Sequence, residues 1–106
     1  MDTCRVDFAA LPWINPAPGV RYKVFQHGLR RLRLVEFAEG FVEPDWCTRG
    51  HVGYVLAGTG VLQLESETIP FGAGDGIFLP PGPENKHKLK VTAGPFRVVL
   101  VEDLPR

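Results

Sequence analysis

From residue 21 onward, apolar and polar positions alternate in short runs, and no stretch sustains a helical period. RYKVFQ (21–26) runs into His27-Gly28, and RLRLVEF (31–37) stops at Glu39-Gly40. VGYVLA (52–57) meets Gly58-Thr59-Gly60, which reads as a tight hairpin turn into VLQLE (61–65). After GAGDG (72–76) comes IFL (77–79), ended by Pro80-Pro81-Gly82, and HKLKV (87–91) and FRVVLVE (96–102) complete the pattern. Period-two runs separated by turn residues at intervals of about 8 to 12 predict an all-β sandwich or barrel. Residues 1–20 carry Pro12, Pro16, Pro18 and Gly19, so they read as an irregular arm ahead of one barrel domain over 21–106.

Parity assigns faces within these runs. Lys86, Lys88 and Lys90 share one face of a strand, which must be wet. Asn85, His87, Leu89 and Val91 then point inward. His51, Gly53 and Val55 share a face in the earlier strand, and Tyr54 lies out of phase with them, outside the barrel mouth. Arg31 and Arg33 alternate with Leu32 and Leu34 and read as surface, with a pocket for an anionic substrate as the alternative. Trp13 and Trp46 read as packing residues and His27 as exposed.

Composition narrows the class. The chain has 106 residues, enough for one domain with its own core. Twelve basic residues balance twelve acidic ones, which argues against nucleic acid or an anionic membrane as partner. No apolar run approaches the ~20 residues that span a bilayer, and the N-terminus lacks the apolar core of a signal peptide. The expectation is a cytoplasmic protein in which Cys4 and Cys47 are thiols or ligands and do not pair as a disulfide.

Two stretches resemble one known family. GYVLAGTG (53–60) and Gly74-Asp75-Gly76-Ile77-Phe78-Leu79-Pro80-Pro81-Gly82 are similar to the centre of a cupin. The resemblance implies a cupin-type double-stranded β-helix, or jelly-roll barrel, with a metal site in its mouth. The family's first metal motif is G-x5-H-x-H-x(3,4)-E-x6-G. Counted back from Gly58, its ligand slots fall on Asp45, Cys47 and His51. In the second motif, G-x5-P-x-G-x2-H-x3-N, the histidine slot is Asn85, and His87 follows two residues later on the same strand face.

The resemblance therefore implies that Cys47, His51 and His87 converge on one divalent metal, with Asp45 as a further candidate ligand. A thiolate with two imidazoles favours zinc, with iron, nickel or copper as alternatives. Glu43 and Asn85 become candidate pocket residues beside it. The expected function is metal-dependent chemistry on a small organic molecule. Two alternatives stand: a non-enzymatic ligand-binding or sensing module, and a metal-free isomerase-like site with His51 and His87 as acid and base. Cupins are commonly dimers. FRVVLVE is apolar on most of both faces, so a homodimer is expected, with the proline-rich arm as a candidate crossing segment.

Overall fold

The computed structural model describes residues 4–105; residues 1–3 of the arm and residue 106 of the barrel domain lie outside the described residues. Seven strands follow in chain order. They are β1 (Ile14–Ala17), β2 (Val20–His27), β3 (Arg30–Phe37), β4 (His51–Gln63), β5 (Thr68–Gly72), β6 (Gly76–Leu79) and β7 (Lys88–Asp103). All are antiparallel, in the order β1-β2-β3-β7-β4-β5, and β6 pairs with the start of β4 on the same edge that β5 occupies further along. The only helical pieces among the described residues are single 3-10 turns at Phe8–Ala10 and Pro83–Asn85. This is the all-β jelly-roll architecture expected of a cupin. No helix of the described residues is long and apolar enough to cross a membrane.

Two expected breaks are absent. Residues 52–57 and 61–65 were predicted as strands around a hairpin turn, yet β4 runs unbroken through Gly58-Thr59-Gly60. Residues 87–91 and 96–102 likewise belong to one strand, β7. The glycine cluster makes an irregularity in the ladder: the β4–β7 register shifts between Val55 and Gly60. Gly58 has φ +83, and a Cβ there would strike the Pro95 carbonyl oxygen. The arm also differs from expectation, because β1 pairs with β2 through the turn at Pro18-Gly19.

The irregularity changes which residues face inward. In β4, Val55 is buried at an odd position, and Gly60 and Leu62 at even ones. In β7, Leu89 and Val91 are buried at odd positions, whereas Phe96, Val98, Leu100 and Glu102 are buried at even ones. Both strands therefore exchange faces at the same level and bend around one core of Val35, Val55, Leu62, Leu89, Val91, Phe96, Val98 and Leu100. Residues 41–47 run antiparallel beside 87–91 and close the remaining side. Val42 bridges Lys90, and Cys47 bridges His87.

Candidate metal centre

Cys47 and His87 are a hydrogen-bonded antiparallel pair: each backbone N–H donates to the other's carbonyl, at 2.9 and 3.0 Å. His51 opens β4 four residues after Cys47. The three side chains meet inside the barrel, with Cys47 Sγ and His51 Nε2 3.8 Å apart and the two imidazole rings edge to face at 5.2 Å. One donor atom from each lies within 4.8 Å of the others. Metal bonds of about 2.0–2.3 Å in a tetrahedron set ligand separations of about 3.5 Å, so the widest pair has to close by roughly 1 Å.

Each imidazole has its second nitrogen engaged. His87 Nδ1 lies 3.1 Å from the Asn85 carbonyl oxygen. His51 Nδ1 lies 2.7 Å from Glu102 Oε2. That approach is bent away from the ring N–H direction, and no other hydrogen-bond partner reaches Nδ1. At this distance from a buried carboxylate the contact is a close charge interaction. It favours a proton on Nδ1 and directs Nε2 towards Cys47.

Glu102 is the residue that sequence reasoning missed. It is 1% exposed and sits between two guanidiniums. Arg31 Nε donates to Oε1 at 2.7 Å, while Arg33 donates through Nε to Oε1 and through Nη2 to Oε2. Arg31 and Arg33, read as surface, thus point into the barrel, and Leu32 and Leu34 take the outer face. The reason is register: Arg33 pairs with Leu100 and Arg31 with Glu102, both on the inward face of β7. The signal was present, since Glu102 continues the alternation of Phe96, Val98 and Leu100.

These contacts set the charge states. The Cys47 thiol is lowered to about 5 by hydrogen bonds from His51 and then His87, against burial. Burial pushes the His51 imidazole down, but Cys47 and Glu102 outweigh it, and its pKa is raised. His87 is raised in the same way, with burial opposed by Cys47 and the Asn85 carbonyl. Burial pushes the Glu102 carboxyl up, but His51 and Arg33 hold it well below the usual carboxylate range. Glu43 is raised, chiefly by burial, although its Oε1 accepts the Leu89 N–H at 2.9 Å.

The cluster forms part of the wall of a cavity of about 310 Å³, lined otherwise mainly by apolar side chains such as Phe41, Leu62, Phe71, Ile77 and Leu79. Glu43 lines it beside Cys47, His51 and His87. Asn85 does not; it acts through its backbone carbonyl. Asp45 is exposed and stands outside the group. Tyr54 is 51% exposed on the outer face. Trp13 stacks under the Arg21 guanidinium at 3.9 Å, and Trp46 carries Lys86 and Lys88 over its ring. Cys4 and Cys47 are both free thiols.

Comparison with known proteins agrees with this architecture. The family model described as Cupin domain matches residues 33–102. No match is found among curated protein sequences. Among solved structures, KdgF from Halomonas sp. is 23% identical, with TM-score 0.74 over 90% of this chain and 89% of that one. An RmlC-like cupin from Shewanella frigidimarina is 16% identical, with TM-score 0.78 over 98% and 93%. The polyketide cyclase RemF from Streptomyces resistomycificus is 23% identical, with TM-score 0.77 over 98% and 81%. At these identities the likeness is one of fold.

Proposed function

This chain belongs to the cupin family, and we propose that Cys47, His51 and His87 bind one divalent metal, zinc by preference, for chemistry on a small organic molecule held in the barrel. The observation that carries this reading is the convergence of three donor atoms at the wall of an apolar cavity, with both imidazoles held at their far nitrogens. A thiolate with two imidazoles would suit zinc and, as three protein ligands, would leave room for water or a ligand. A metal bound there supplies Lewis-acid polarisation of a ligand oxygen. The chain's own residues do the rest. Glu102 orients His51, and the Asn85 carbonyl orients His87. Glu43, its pKa raised chiefly by burial, lines the cavity beside the three donors, and the rest of the lining is mainly apolar.

Elemental analysis of untagged protein purified without added metal tests this. About one metal per chain is expected, with little in the Cys47→Ala, His51→Ala double variant. Absence of metal in both, even after incubation with zinc, iron and nickel salts, removes the reading.

The largely apolar cavity also supports a second reading, a binding or sensing module without turnover. Ligand-induced thermal stabilisation with no product formed favours it.

A second copy of the chain is the proposed protein partner. The outer face of the sheet carries a continuous apolar row in register: Phe25, Leu32, Val101, Val52 and Phe78. Phe78 is 80% exposed and Val52 47%, and a self-complementary two-fold contact would cover both.

A further inference from the structure

We infer that the cavity accepts a small organic carboxylate with an apolar body, its anionic end bound by Arg49. This rests on the reading of the cavity as the functional site and adds the class of molecule that fills it.

The argument starts from how the arginines are paired. Each of the five arginines on strands has a carboxylate partner: Arg21 and Arg97 on Glu36, Arg30 on Asp103, and Arg31 and Arg33 on Glu102. Arg33 also lines the cavity, but its Nε and Nη2 are both committed to Glu102. Arg49 is different. It lines the cavity from the exposed segment between Cys47 and β4, and its guanidinium has no hydrogen bond or ion pair among the described residues.

Three guanidiniums lie in and behind the wall, those of Arg31, Arg33 and Arg49. Glu102 is shared by two of them and has nothing left for a third. A guanidinium without a protein partner at the rim of an apolar cavity attracts an anionic occupant. The planar fork of one guanidinium matches the two oxygens of one carboxylate. The remaining wall of Phe41, Leu62, Phe71, Ile77 and Leu79 suits a hydrocarbon or aromatic body and offers little to a sugar-like one.

The test is calorimetric titration with benzoate and hexanoate and with their neutral amides. It is run on chelator-treated and zinc-supplemented protein, beside Arg49→Gln. The carboxylates are expected to bind at least tenfold more tightly than the amides in both preparations. Arg49→Gln is expected to lose at least tenfold for the carboxylates and to leave the amides unchanged. Its exposed position keeps the fold intact, which circular dichroism verifies. Equal affinity for acid and amide overturns the inference, and so does unaltered carboxylate binding by Arg49→Gln. No detectable binding of either acid at millimolar concentration overturns it as well. Carboxylate binding that needs zinc and ignores Arg49 places the anion on the metal and also overturns it. The chelator-treated arm keeps this result separate from the metal reading, which metal content alone decides.

Discussion

The Glu102 carboxylate lies 2.7 Å from His51 Nδ1 and is fully enclosed, so the position of one candidate ligand depends on a residue at the far end of the chain. Glu102→Gln keeps the shape but removes the anion that Arg31 and Arg33 share. Stranding buried charges in this way costs about 3 kcal/mol or more. Urea denaturation should show that loss. Zinc affinity should fall by roughly 10- to 100-fold, as for other partners that orient a ligating imidazole. A variant with parental stability would mean that the two arginines find water or another anion.

The Cys47 thiol, lowered to about 5, should be ionised at neutral pH in metal-free protein. Its alkylation by iodoacetamide, followed on the Cys47 peptide, is expected to reach half its plateau near pH 5, well below the ~8.5 of an ordinary thiol. Cys4, which is exposed, serves as the internal comparison. His51→Ala should move the Cys47 midpoint upward. A Cys47 midpoint near that of an ordinary thiol would refute the assigned contacts.

The same group carries a sign for stability. Its pKa is depressed on folding, so its contribution is fully present above the unfolded value and is lost as pH falls through about 5. The raised imidazoles of His51 and His87 act oppositely: their contribution is present below about 6.5 and lost as pH rises through their folded values. Metal-free protein should therefore show opposing slopes between these limits. Cys47→Ala should remove the rise with pH, measurable as midpoint denaturant concentration across a pH series.

Phe96 is 2% exposed and tilted against Phe37 at 6.3 Å between ring centroids, where β7 changes faces. Phe96→Ala is expected to cost about 3–5 kcal/mol through the cavity it leaves. Thermal melting provides the check. A loss under 1 kcal/mol would show that the bend repacks easily.

The outer apolar row predicts a dimer at micromolar concentration by sedimentation velocity. Phe78→Asp with Tyr54→Glu should give monomers that keep parental circular dichroism, because both side chains are exposed. A parental protein that sediments as a clean monomer removes the second copy as partner.

Much of this was legible from local pattern. Local pattern marked β2, β3, β6 and the two halves each of β4 and β7, whereas β1 and β5 were not predicted. The parity of HKLKV placed His87 and Leu89 inward and Lys90 outward, as the burial shows. Those inferences need only the geometry of a single strand.

The arginines were read differently for a physical reason. In RLRLVEF either face can be the inner one, and apolar burial alone chooses the leucines. Only the pairing of β3 with β7 supplies Glu102, which makes burial of Arg31 and Arg33 affordable. The glycine cluster at 58–60 has the composition of a turn, and only the continuous ladder to β7 shows that the strand bends and goes on. Sequence by itself determined the element type and which neighbouring residues share a face, because side-chain alternation is local. Tertiary structure decided which inward charges meet, since residues 31, 33, 51 and 102 are neighbours only through strand register.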